Sequence, residues 1–200
     1  MINRDLAGLI LCGGYSSRMG SDKGLLLHTD GYWVQKAIDK LESLGFSVWV
    51  SVREEQQTIY SSILSSDKLL TDAVSVQGPL AGLLTAHQCF PERDWLVVAC
   101  DMIDMTQSVL KQVIDAYQYS EKYDCFVFEQ EGKWEPLCAI YTKIALEKFL
   151  ILAKQGQLPS QSMKYFIEKS HPCFLPITSD SYPAFRNYNQ PDDLKIKNPL

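Results

Sequence analysis

Two hundred residues, 46% of them hydrophobic and 22% charged, have the balance of a soluble globular chain and exclude a disordered or fibrous one. A chain of this length can bury a large core without disulfide or metal staples. The formal net charge of -5, with no run of Lys or Arg, excludes a general nucleic-acid-binding surface, whereas two or three cations in one pocket suffice for a small anionic substrate.

Leu6 to Leu11 is a continuous apolar run that ends in Gly13 and Gly14, the pattern of a buried central strand feeding a loop. The run is far too short to span a bilayer and passes into glycines instead of a cleavage site, so neither export nor a membrane is expected. From Tyr32 to Leu44 the apolar positions follow helical spacing, Gly45 closes that helix, and Phe46 to Val52 is the second strand. A polar helical stretch around Glu54 to Leu64 leads to the short run Leu69-Leu70, after which Asp72 opens a loop that ends at Gly78-Pro79. Leu80 to Phe90 reads as a helix and Trp95 to Cys100 as another buried strand, which leaves Asp101 at a strand's carboxyl end. Thr106 caps a further helix, with Val109, Leu110, Val113, Ile114 and Tyr117 on its inner face.

The later part changes character. Cys125 to Phe128 and Leu137 to Tyr141 flank Glu131-Gly132-Lys133, as in an antiparallel hairpin. Ile144 to Ala153 and Ser162 to Lys169 read as helices, the first ending near Gly156, and short strand-like pieces follow from Pro172. Alternating apolar runs and amphipathic helices predict an α/β fold with a mixed sheet, and with no repeat or linker residues 1–200 read as one domain. None of the six cysteines makes a CxxC pair. Cys12, Cys100 and Cys138 lie inside apolar stretches, which points to free thiols in a reduced, cytoplasmic compartment.

The segment richest in chemistry is Leu11 to Gly24, LCGGYSSRMGSDKG, directly after the first strand. Glycines at a strand end let backbone N–H groups approach an anion, and Arg18 and Lys23 supply the fixed positive charge that a triphosphate requires. The loop has neither the GxGxxG of dinucleotide-binding folds nor the GKS/GKT ending of P-loop proteins. Glycines alone would read as a turn with solvated cations. Gly13, Gly14, Arg18, Met19, Gly20, Asp22 and Lys23 together, in order, favour a phosphate cradle. Asp101 stands where α/β sheets place ligand-handling groups, and one carboxylate with phosphate oxygens and waters commonly holds magnesium. A capping or surface aspartate is the bland alternative there, and the strand-end position favours the metal ligand. Asp104, just before a helix, reads as a cap.

Carried on that loop, the chain resembles the molybdenum cofactor guanylyltransferases, within the nucleotidyltransferases whose first loop runs LAGGxSxRMGxDK, with Cys12 in place of the alanine. The resemblance extends to Asp72 with GPLAG at Gly78 to Gly82, to the acidic strand end at Cys100-Asp101, and to FRNYNQPDDL at Phe185 to Leu194. It implies a Rossmann-like nucleotidyltransferase fold in three layers, with a mixed, mostly parallel sheet. It implies transfer of GMP from GTP to the phosphate of molybdopterin, with Mg²⁺ and release of pyrophosphate. Arg18, Lys23 and Asp101 would be catalytic, and Leu11, Cys12, Gly13, Gly14, Ser51 and Asp72 would join Lys23 and Asp101 around the nucleotide. Gly78, Pro79, Glu135, Asn187 and Asn189 would face the acceptor; the two asparagines read equally as turn residues.

Two departures from the family bear on base choice. Ser51 stands where asparagine is expected, and the prolines common around the Cys-Asp pair are absent from Ala99 to Met105. A CTP-dependent cytidylyltransferase and a sugar-nucleotide pyrophosphorylase are therefore rival enzymes. A nucleotide-binding partner in molybdoenzyme maturation is the rival without turnover. His28, His87 and His171 have no carboxylate or nucleophile at telling spacing, and His87 in an amphipathic helix reads as structural.

Overall fold

A computed structural model describes residues 5–13, 22–28, 31–186 and 188. In chain order the elements are β1 (Leu6–Leu11), β2 (Leu27–His28), β3 (Gly31–Tyr32), α1 (Trp33–Glu42), β4 (Val48–Val52), α2 (Gln57–Ser61), β5 (Leu69–Thr71) and α3 (Pro79–Cys89). There follow β6 (Asp94–Ala99), α4 (Gln107–Gln118), β7 (Cys125–Gln130), β8 (Lys133–Tyr141), α5 (Lys143–Lys154), α6 (Met163–Lys169) and β9 (Pro172–Pro176). Seven strands form one sheet in the order β5-β4-β1-β6-β8-β7-β9, and β2 and β3 pair separately. The pairs β1/β4, β1/β6, β4/β5 and β7/β9 are parallel, and β8 runs antiparallel to both of its neighbours. The expected mixed, mostly parallel α/β sheet is thus present.

The three layers follow from strand alternation. Ile10, Val50, Leu96 and Val98 face a core filled by Val34, Ile38 and Leu41 of α1 and Val109, Leu110 and Val113 of α4. Leu9, Leu11, Trp95 and Val97 face the opposite core, where Leu80, Leu83 and Leu84 of α3 meet Leu146 and Phe149 of α5 and Phe166 of α6. Both faces of the central strands are covered, which is why they read as unbroken apolar runs.

Side-chain caps start α4, α5 and α6, the first at the Thr106 that the sequence marks. Thr106 accepts from the Val109 N–H, Thr142 from Ala145 and Ser162 from Tyr165. The α3 helix starts one residue earlier than its apolar pattern suggests, because Pro79 needs no N–H partner at the first helical position. The second strand starts at Val48 rather than Phe46: Gly45 turns at φ 89° and the Phe46 N–H still bonds the Leu41 carbonyl of α1. The expected helix from Glu54 to Leu64 divides into a 3-10 turn at Glu54–Gln56 and the short α2. The hairpin is longer than its apolar signal. Glu131 and Gly132, at φ 51° and 76°, form a two-residue turn that carries β8 back to Lys133, and a bulge at Val127/Phe128 shifts the register.

Packing rather than hydrophobicity as such sets what each apolar side chain contributes. Leu110→Ala empties part of a fully buried site and is expected to destabilise by about 2–5 kcal/mol. Ile144→Ala, at a position 64% exposed, should stay within about 0.5 kcal/mol. Urea midpoints at constant slope check the contrast.

Candidate active site

Parallel strands share a direction, so β1, β4, β5 and β6 deliver their carboxyl ends to one edge of the sheet. The ladder continues one residue past three of these ends. The Cys12 N–H donates to the Ser51 carbonyl at 3.0 Å, the Cys100 N–H to Leu11 at 3.2 Å and the Asp72 N–H to Val52 at 3.1 Å. Above this edge opens a cavity of about 910 Å³. Leu11, Cys12 and Gly13 reach it from β1, Ser51 from β4, Asp72 from the exit of β5 and Asp101 from beyond β6. Gly78 and Pro79 line it from the start of α3, and Lys23 from the 3-10 turn Lys23–Leu25.

Lys23 and Asp101, 78 residues apart in the chain, form an ion pair of 2.7 Å between Nζ and Oδ2. Their side chains are 17% and 16% exposed, so the pair is largely shielded while one side stays open to the cavity. Among the described residues, no group of three or more His, Cys, Asp or Glu side chains gathers into an all-protein metal cage. The Asp101 carboxylate at the wall of this open cavity suits a hard divalent cation that takes its other ligands from phosphate oxygens and water, once Lys23 gives up Oδ2.

Asp72 lies on the wall formed by β4, β5 and α3. Burial pushes its carboxyl above the usual carboxylate range, and the hydrogen bond from Ser51 Oγ to Asp72 Oδ1, at 3.1 Å, pulls the other way. That bond depends on Gly82, since a Cβ there would lie 2.1 Å from Ser51 Oγ. Gly78, at φ 70°, makes the turn into α3. The GPLAG segment therefore shapes the wall through its backbone.

Arg53, one residue beyond β4, lines the same cavity and pairs through Nε with Glu55 at 3.3 Å. The sequence reading missed it, although the strand-end rule that singled out Asp101 would have found it. Gln161 and Ser162, just before α6, also reach the cavity, Gln161 Oε1 accepting from the Gln77 N–H at 2.7 Å. Their loop carries no motif that would single it out. Glu135 stands elsewhere. It borders a second cavity of about 570 Å³ with Lys133 and Arg186, and burial raises its carboxyl, while Leu137 is the β8 residue on the main cavity. Gly14, Arg18, Asn187 and Asn189 lie outside the described residues. His87 is buried in α3 with Nε2 3.0 Å from Glu147, on the core side and away from the site.

The family model for the MobA-like NTP transferase domain matches residues 8–172. A probable molybdenum cofactor guanylyltransferase of Methanothermobacter thermautotrophicus is 30% identical over 192 residues, which cover 94% of this chain and 96% of that protein. A molybdenum cofactor biosynthesis bifunctional protein of Synechocystis sp. is 33% identical over 144 residues, 72% of this chain and 41% of that protein; the chain thus spans about two fifths of that relative's length. The fold is shared with the crystal structure of molybdopterin-guanine dinucleotide biosynthesis protein A from Archaeoglobus fulgidus. The TM-score is 0.77 at 21% identity, and 95% of each chain is covered.

The burial of Asp72 has a thermodynamic signature. A carboxyl raised on folding favours the native state most below its unfolded value of 3.8, and that contribution is lost as the pH rises through the raised value. Asp72→Asn removes the charge and keeps an acceptor for Ser51. Its thermal midpoint should exceed that of the wild type near neutral pH, and the gap should close below pH 3.8; a pH series of melting curves measures both.

Proposed function

The chain belongs to the MobA-like NTP transferase domain family, and on that premise we propose that it transfers GMP from GTP to the phosphate of molybdopterin and releases pyrophosphate. The observation that carries this reading is the convergence of Lys23, Asp101, Asp72 and the backbone after β1 on one cavity. The name of the Methanothermobacter relative, which this chain matches along nearly its whole length, supports the choice of guanine and of the acceptor.

The reaction asks for alignment and charge neutralisation more than covalent chemistry. The acceptor's phosphate oxygen forms a bond to the α-phosphorus of GTP as the bond from that phosphorus to the pyrophosphate oxygen breaks. A phosphate monoester loses its second proton near pH ~6, so the acceptor is already anionic at neutral pH and no histidine base is required. Asp101 would hold a divalent cation, which we name as Mg²⁺; when bound, it neutralises negative charge on the triphosphate. Lys23 exchanges its bond to Asp101 for phosphate oxygens and offsets the charge that accumulates on pyrophosphate. Leu11, Cys12 and Gly13 lend backbone to the nucleotide, and Gly14 and Arg18 complete the cradle by the family pattern. Asp72, steadied by Ser51, accepts from the N1–H and N2–H₂ edge of guanine, which cytosine lacks.

Gly78 and Pro79, which line the main cavity, are assigned to the acceptor side with Asn187 and Asn189 by the family pattern, whereas Glu135 borders the second cavity. The reading treats residues 1–200 as one nucleotidyltransferase unit working in the cytoplasm. Six free cysteines suit a reducing compartment, and no described helix is long and apolar enough to cross a membrane.

A pyrophosphate-release assay with GTP, CTP and molybdopterin tests the proposal. GTP-dependent release that requires molybdopterin is expected, and Lys23→Ala and Asp101→Asn should each lower kcat by about 10²–10³-fold while circular dichroism stays native. A preference for CTP makes the protein a cytidylyltransferase, turnover with sugar phosphates in place of molybdopterin a pyrophosphorylase, and nucleotide binding without release a maturation module. Undiminished activity in Lys23→Ala would refute the role given to the loop.

A further inference from the structure

We infer that Tyr60 and Gln56 are positioning residues that act through the Asp22 carboxylate to hold the short segment presenting Lys23 to the cavity. The kinetic part of this inference rests on the proposed nucleotidyl transfer; the structural part does not.

Asp22 accepts from three directions: the Gly24 N–H at 3.0 Å, the Tyr60 hydroxyl at 2.7 Å and the Gln56 side-chain amide. The same Gln56 Nε2 donates to the Cys12 carbonyl at 3.1 Å, and Gln56 Oε1 accepts from the Arg53 N–H at 2.9 Å. One buried amide therefore ties together the exit of β1, the exit of β4 and the residue preceding Lys23. Tyr60 is fully buried and Gln56 nearly so, and neither they nor Asp22 line the cavity, so their influence must pass through another residue.

Gly24 provides an independent observation. A Cβ at that position would lie 2.2 Å from Tyr60 Oη, so the hydroxyl reaches directly beneath the chain on the far side of Lys23. Lys23 thus sits between two residues that are both fixed by the same hydroxyl and carboxylate, and the 2.7 Å approach of its amine to Asp101 starts from a backbone with little freedom. With the backbone fixed, only the side chain need move for the amine to pass from Asp101 to phosphate oxygens.

Four variants separate positioning from mere stability. Tyr60→Phe keeps the ring and removes the hydroxyl. Tyr117→Phe is the control, because the Tyr117 hydroxyl makes a comparable buried bond of 2.6 Å to Asp94 at the opposite end of β6. Gly24→Ala forces the clash, and Gly24→Ala combined with Tyr60→Phe relieves its worst contact, leaving neighbours at 3.2 Å. Tyr60→Phe should lower kcat by about tenfold, the scale of a hydrogen bond to a charged group, with KM for GTP changed less than about twofold. Tyr117→Phe should lose comparable thermal stability and keep kcat. Gly24→Ala should be the slowest variant, and the double variant should be faster than it. Hydrogen exchange at the amides of residues 24–26, which needs no substrate, should speed by about tenfold in Tyr60→Phe and not in Tyr117→Phe. Equal kcat and equal exchange in the two tyrosine variants would overturn the inference. If the wild type transfers no nucleotide, the proposed function fails, and the exchange measurement alone decides whether Tyr60 holds the segment.

Discussion

The backbone ladder between parallel strands, carried one residue beyond their carboxyl ends, is the constraint on which the site depends. Cys12 bonded to Ser51, Cys100 bonded to Leu11 and Asp72 bonded to Val52 set the chain exits side by side at strand spacing. Side chains that follow these residues cannot drift apart unless the sheet itself separates, and the sheet is held by apolar cores on both faces. Precision at the site is therefore inherited from the packed sheet.

Charge is arranged on this frame with economy. The chain as a whole is negative, yet the cavity sets Lys23 and Arg53 within its wall, close to carboxylates that moderate them. The partial shielding of Lys23 and Asp101 strengthens each one's interaction with whatever enters, because less water competes for either. Asp72 stands on the same wall, where burial raises its carboxyl and a serine hydroxyl steadies it. One pocket thus carries two cations and several carboxylates in its wall, and these are charged groups that an anionic ligand would have to meet in pairs.

Glycine has three separate uses around the cavity. Gly78 supplies a backbone turn, Gly82 lets α3 approach β4 closely enough to pack on Ser51, and Gly24 leaves room for a buried phenol. Glycine-rich segments of the sequence contain all three, Gly78 and Gly82 in GPLAG and Gly24 at the end of the first loop, but they give no reason for the last. The space at Gly24 is claimed by a side chain 36 residues further along, and no local pattern records that.

The amino-acid sequence alone was enough for the α/β class, the helices of the outer layers and the strand-end position of Asp101, because caps, apolar periodicity and turn residues are local signals written within a few residues of one another. It also carried Lys23, Asp72 and the glycines of the first loop as candidates, through residue order and family resemblance. Only the tertiary structure decided that Lys23 meets Asp101, that Arg53 and Gln161 share their cavity, that Glu135 borders a different one, and that Tyr60 lies beneath Gly24. Those facts depend on strand order and on how far α2, α3 and β8 lie from β1 in space. Strand order is settled by the packing of the whole sheet, and no short stretch of chain contains it.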